Sequence, residues 1–310
     1  MKNDQDSGKK SIWTMVKILF VLLIFSAIIA IFFIEEDSAI GYNTAVVPIS
    51  GEILTGSTGG LFGSEGASSD EITKTIENIR KDSSIQAVIF EINSPGGSPV
   101  ATDEISSEIK KLNDDGIITV SVIRESGASG AYWIASSTDH IIANRMSVVG
   151  SIGVYGSYLE YYGLLNRYNV TYRRLVSGEY KDSGSPLKPM TAAEEALIQS
   201  KLDKLHEYFI EAVAENRNMN VSDVKALATG EIFLGSEAKD NGLIDEIGGN
   251  DEAIKYIENN LNITASTKYY SNEKSFFESI ASAMNKNSYY IGQGIGSELK
   301  FDADKLEIRT

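Results

Sequence analysis

The chain contains no cysteine. Disulfides, thiolate catalysis and zinc sites built on sulfur are therefore excluded. Histidine is almost absent: 2 in 310 residues, His140 and His206. That is too few for a histidine-rich metal centre. His140 lies in a predicted strand and His206 in a long amphipathic helix, neither inside a motif, so both read as structural. Positive charge is also scarce, with 28 Lys and Arg against 43 Asp and Glu and a net charge of −15. A field of that sign repels nucleic acid, and no basic patch offers it a site. No internal repeat is visible.

What is present is enough for a folded enzyme. A length of 310 residues with 42% hydrophobic content accommodates one sizeable domain or two small ones with a true core. The first landmark is an apolar run, ILFVLLIFSAIIAIFFI at 18–34, whose one polar residue is Ser26. With Val16 and Lys17 it approaches the ~20 residues that span a bilayer. Lys2, Lys9, Lys10 and Lys17 precede it, and Glu35, Glu36 and Asp37 follow. The distribution of positive charge predicts residues 1–17 in the cytoplasm and the rest of the chain outside, at the cell membrane as a single-pass protein. A cleaved secretory signal would have a shorter apolar core and a small-residue cleavage site. This run is longer and ends in Phe32-Phe33-Ile34-Glu35-Glu36, which favours a retained anchor.

Beyond the anchor, apolar stretches at 45–53, 86–93, 117–123 and 140–144 read as strands. A helix capped by Ser69-Asp70, with Ile72, Ile76 and Ile79 at helical spacing, and a second over about 99–113 separate the first three. Residues 55–69 are a Gly- and Ser-rich loop. A long helix is predicted over 191–218, opened by a capping box of Thr191 and Glu194. Leu197, Leu202, Leu205, Phe209 and Val213 form its apolar stripe. Residues 171–186 read as a strand followed by a loop, and 230–249 as a strand, helix and turn. From about 264 to 310 the composition suggests a loosely packed tail or a partner-binding arm, leaving 45–263 as the main domain. Strands that are continuous apolar runs alternating with helices predict an α/β fold with a largely parallel sheet covered on both faces. Ligands of such sheets sit at the carboxyl ends of the strands. SPGG (94–97) and ESGASGAYW (125–133) both fall there.

The chemistry follows from what those segments carry. A serine hydroxyl is a poor nucleophile until a base removes its proton. With no histidine in a suitable context, lysine is the remaining neutral base, and serine–lysine pairs are a variant of the triad logic. Lysine ordinarily titrates near ~10.4, so it serves as a base only where burial disfavours its charge. Lys181, in GEYKDSGSP, is the candidate, provided that the Asp182 carboxylate points away from it. The backbone amides of Gly96 in SPGG and of Gly130 just after Ser129 are candidate oxyanion donors. Taken singly, a small-Ser-Gly stretch is a packing corner, SPGG a turn and a loop lysine a solvated charge. Their order and context make the case.

The stretches INSPGG (92–97), ASGAYWIA (128–135), GSIGV (150–154), SGEYKDSGSP (177–186) and GLIDEIGG (242–249) together resemble the signal peptide peptidase A family of serine peptidases, in its short, single-repeat form. The resemblance covers most of residues 45–250. It implies a crotonase-like α/β fold shared with the Clp protease. It puts Ser129 at the nucleophile's position, Lys181 at the general base's, and Ser151 where a second hydroxyl holds the lysine amine. Gly96 and Gly130 stand where backbone amides form the oxyanion hole. Ala131 and Trp133 depart from the Gly and Tyr common after the nucleophile, which alters the pocket wall rather than the chemistry. Ser126 and Ser136 match no motif and read as structural. The family implies cleavage of remnant signal peptides and other hydrophobic peptides at the membrane, with no metal or nucleotide cofactor. It also implies homo-oligomers in which serine and lysine come from neighbouring subunits. Three other readings compete: a quality-control peptidase acting with stomatin-like partners, a crotonase-type acyl-CoA enzyme, and a catalytically silent scaffold. The outward anchor and the lack of a basic phosphate patch disfavour the acyl-CoA enzyme. The intact Ser129 and Lys181 disfavour the scaffold.

Overall fold

The computed structural model describes residues 13, 17–26, 41–56 and 66–270, in two units, Met1–Gly41 and Tyr42–Thr310. In the first, residues 17–26 form a helix, α1, whose apolar side chains from Ile18 to Phe25 are all exposed. Among the described residues no helix is long and apolar enough to cross a membrane. Residues 27–34 of the expected anchor lie outside the described residues.

The second unit opens with β1 (Thr44–Ser50), β2 (Ile53–Leu54), β3 (Ala67–Ser68), α2 (Ser69–Lys81), β4 (Ala87–Ser94), α3 (Pro99–Asp114), β5 (Ile118–Ala128) and α4 (Gly130–Ser136). It continues with β6 (His140–Ala143), β7 (Val148–Gly150), α5 (Tyr162–Arg167), α6 (Ala192–Asn216), α7 (Val221–Leu227) and β8 (Ile232–Leu234). It closes with α7's successor α8 (Gly235–Asp240), then β9 (Glu246–Ile247), α9 (Asn250–Leu261) and β10 (Thr267–Tyr269). The main sheet runs β10-β1-β4-β5-β6-β9, with β7 against the end of β5 and β8 against β7. Every pairing is parallel except β7 with β8. This is the helix-flanked, largely parallel α/β sheet expected from the sequence.

Side chains alternate across a strand, and here both faces are covered. Val47, Ile49, Phe90 and Ile92 pack under α2, α3, α4 and α6, through Ile76, Ile79, Ile105, Ile109, Ile134 and Val213. Val46, Ile89, Val120 and Val122 meet Ala253 and Ile257 of α9 on the other face. Each such buried Val, Ile or Phe side chain contributes roughly 1.5–3 kcal/mol. Burial on both sides is why these strands read as unbroken apolar runs.

The expected capping box opens α6: the Thr191 side chain accepts from the Glu194 N–H, and the Glu194 side chain accepts from the Thr191 N–H. Two expectations are corrected. Residues 171–176 form no strand. No strand among the described residues pairs with them, and Tyr172 and Leu175 face solvent. The chain after 263 also stays in the fold as far as Tyr270. β10 adds to the open edge of β1, with Thr44 opposite Thr267 and Val46 opposite Tyr269, and the Tyr270 N–H donates to the Val46 carbonyl. Residues 271–310 lie outside the described residues.

Candidate active site

Strand β5 changes neighbours along its length. Val120–Ile123 pair with β6, whereas Ser126–Ala128 pair with β7. A register shift between Ile92 and Ser94 accompanies the change. The strand then stops abruptly at Ser129, whose backbone sits at φ 53°, ψ −127°. A non-glycine residue there carries strain of order 1–3 kcal/mol. The geometry is held from several sides. The Ser129 N–H donates to the Gly150 carbonyl at 2.8 Å. Its carbonyl accepts the N–H groups of Tyr132 and Trp133, at 2.9 and 3.1 Å, as α4 begins. The side chain makes no capping bond to the helix, so Oγ is unengaged among the described residues.

SPGG closes against this turn. A Cβ on Gly96, at φ +99°, would meet the Gly130 nitrogen at 2.7 Å and the Ser129 Cβ at 2.8 Å. Only glycine permits that approach. The Gly96 N–H, a candidate oxyanion donor, is engaged within its own turn by Ser94 Oγ at 3.1 Å. One residue on, the Gly97 N–H makes no hydrogen bond among the described residues, and neither does the Gly130 N–H at the start of α4. Gly130 is itself tightly constrained, because a Cβ there would lie 2.4 Å from Thr102 Oγ1 of α3.

Ser151 stands one residue past β7, at φ 52°. Its N–H donates to the Glu231 carbonyl at 2.8 Å and its hydroxyl approaches the Gly230 carbonyl at 3.4 Å. Ser129, Gly96, Gly130 and Ser151 line one cavity of about 790 Å³. Its apolar wall includes Val154, Leu205 and a stacked pair, Trp133 and Phe209, with ring centroids 5.1 Å apart. Four of the five expected site residues are thus brought together.

Lys181 is not among the residues lining that cavity. It is exposed, in a turn between α5 and α6. Its ammonium makes no ion pair or hydrogen bond among the described residues. The neighbouring carboxylate is occupied: Arg174 donates to both oxygens of Asp182, at 2.5 and 2.8 Å. Those bonds hold the Asp182 carboxyl below the usual carboxylate range. The turn is tied to α6 by Glu194, which accepts from Lys188 at 2.6 Å and from the Thr191 backbone. Together these push the Glu194 carboxyl down to about 2. No group of carboxylates and histidines suited to a metal occurs among the described residues.

Sequence reasoning missed several contributors. Gly97 carries no sequence signal beyond that of the SPGG turn. Thr102 was unremarkable within α3. His206 lines the cavity, and its Nε2 is buried with no partner among the described residues. Trp133 is expected at the pocket wall, but its stacking on Phe209, 76 positions away, arises only through the packing of α4 on α6.

The family model described as peptidase family S49 matches residues 111–264. A protein of Methanocaldococcus jannaschii named as a protease is 29% identical over 97% of this chain and 98% of its own length. A protein of Enterococcus faecium named as the signal peptide peptidase SppA is 32% identical over 79% of this chain and 71% of its own. Protease 4 of Haemophilus influenzae is 32% identical over 70% of this chain, which corresponds to 35% of that longer protein.

Proposed function

The chain belongs to peptidase family S49 and is a serine peptidase, and from that premise we propose that Ser129 is its nucleophile and Lys181 its general base. The neutral lysine takes the Ser129 proton as Oγ attacks the peptide carbonyl. The resulting ammonium then protonates the departing amine, and water hydrolyses the acyl-enzyme. The observation that carries the reading is the strained Ser129 turn, whose unengaged hydroxyl stands beside two unengaged amides in a cavity shared with Ser151. The Gly97 and Gly130 amides, supported by the Gly96 turn, would receive the oxyanion.

The lysine would reach the serine from a neighbouring copy, with Ser151 steadying its amine. The segment carrying Lys181 exposes a run of large apolar side chains. Tyr155 and Leu175 are 89% and 98% exposed, and Leu159 and Tyr168 are also open. Such a surface suits burial against another subunit. We read the protein as a homo-oligomer on a crotonase- and Clp-like fold. We place it at the cell membrane, held by residues 18–34, with its peptidase domain outside. Remnant signal peptides or other hydrophobic peptides are the proposed substrates. The apolar cavity wall and the name of the Enterococcus faecium relative support that class.

The test compares wild type with Ser129→Ala and Lys181→Ala on a hydrophobic fluorogenic peptide and on casein at pH 8–9. Cleavage by wild type alone, with both variants folded, supports the dyad. Equal behaviour of all three removes it and leaves Ser129 as a packing corner.

A further inference from the structure

Thr102 lies in the first turn of α3, fully buried, and its Oγ1 has no hydrogen-bond partner among the described residues. A helical threonine ordinarily satisfies its hydroxyl on the carbonyl four residues back. Here the Ser98 carbonyl receives the Thr102 N–H at 3.0 Å and nothing from the hydroxyl. Buried polar groups are nearly always paired, so an orphan calls for a physical explanation.

Its surroundings supply one. The point where a Gly130 Cβ would stand is 2.4 Å from Thr102 Oγ1 and 3.4 Å from the Gly97 nitrogen. The hydroxyl therefore crowds the same spot as the two unengaged amides, at the edge of the cavity that holds Ser129. We propose that Thr102 is a positioning residue of the oxyanion pocket, its O–H dipole set behind the Gly97 and Gly130 amides to support the negative charge that develops there. The inference rests on Ser129 being the nucleophile. With no acceptor among the described residues, the hydroxyl hydrogen is free to turn toward that charge. Water is excluded from its position, so the dipole acts at low dielectric. A dipole aimed at charge present only in the transition state raises kcat and leaves substrate binding alone.

Thr102→Val keeps the shape and deletes the hydroxyl. Thr102→Ser keeps the hydroxyl and deletes the methyl. Both are assayed in the full chain in detergent micelles on a leucine-rich fluorogenic peptide, beside Ser129→Ala, with urea midpoints. A purely structural orphan predicts that Thr102→Val is as active as wild type and at least as stable, because it removes an unsatisfied group. The proposal predicts a kcat lower by about tenfold or more at unchanged KM, and wild-type kcat for Thr102→Ser. Wild-type kcat in Thr102→Val overturns it, and so does a Thr102→Ser enzyme as slow as Thr102→Val. If Thr102→Val also loses stability, Thr102→Ser decides: full kcat supports the role and a slow enzyme overturns it. Should wild type cleave no faster than Ser129→Ala, the nucleophile assignment falls, and this inference with it. If wild type exceeds Ser129→Ala and Thr102→Val matches wild type, only the Thr102 role falls.

Discussion

Ser129 and Ser151 leave the sheet side by side. The residues before them, Ala128 and Gly150, are register partners in β5 and β7, and both serines then adopt a positive φ. A strand end is thus used twice to aim a hydroxyl into one cavity. The Ser129 N–H on the Gly150 carbonyl fixes one turn against the other. Ser151→Ala, on the proposed dyad, should lower kcat by about tenfold or more with little change in stability, as expected for loss of a group orienting the base. Steady-state kinetics with a denaturation midpoint check this, and an unchanged kcat would separate Ser151 from the reaction.

Gly130 has no room for a side chain. A methyl there meets Thr102 Oγ1 at 2.4 Å, so Gly130→Ala must shift α3 or the serine turn. Overpacking of this kind costs about 1–3 kcal/mol. The displaced amide should take most of the activity with it. Urea unfolding and kcat/KM measured on the same preparation test both halves.

Phe209 is almost completely buried and stacks on Trp133. Phe209→Ala should destabilise the domain by about 3 kcal/mol, the lower end for such truncations, because one side already borders open cavity. It should also raise KM for hydrophobic peptides more than it lowers kcat.

Arg174 occupies both oxygens of the Asp182 carboxylate, the residue next to Lys181 in sequence. Arg174→Ala frees a negative charge near Lys181, and a nearby carboxylate favours the protonated amine. Activity of the wild type is expected to rise from pH 6 to 9, and in Arg174→Ala that rise should move to higher pH. A pH–rate profile falling steadily from 6 to 9 in the wild type would remove lysine as the base.

Glu194 titrates near 2 in the folded chain, against an ordinary 4.5. Its folded-state value is depressed, so its stabilisation is fully present above pH 4.5 and is lost as the pH falls toward 2. Glu194→Gln should be less stable at neutral pH and should lose less on acidification through that window. Melting temperatures of both proteins from pH 7 to 2 make the comparison.

Much of this was legible because parallel strands buried on both faces leave continuous apolar runs. The runs at 86–93, 117–123 and 140–144 became β4, β5 and β6, and the run at 45–53 became β1, which ends at Ser50, and the start of β2 at Ile53. The start of α6 was equally plain, since a capping box is a local device. What was missed depends on distant partners. Thr267-Lys268-Tyr269 carries no apolar pattern and is a strand only because β1 offers an open edge. Residues 171–176 have strand-like side chains but no pairing strand among the described residues. The serine turn was readable from ESGASGAYW. The engagement of the Gly96 amide by Ser94, and the freedom of Gly97's, depend on how SPGG folds back onto it.

The most direct test of the dyad is covalent. Wild type, Lys181→Ala and Ser129→Ala would be treated with a fluorophosphonate at pH 8, and the adduct mapped by peptide mass. The account predicts a single adduct on Ser129 in wild type, little or none in Lys181→Ala, and none in Ser129→Ala. An adduct on Ser126, Ser136 or Ser151 instead, or equal labelling of Ser129 without Lys181, would contradict it.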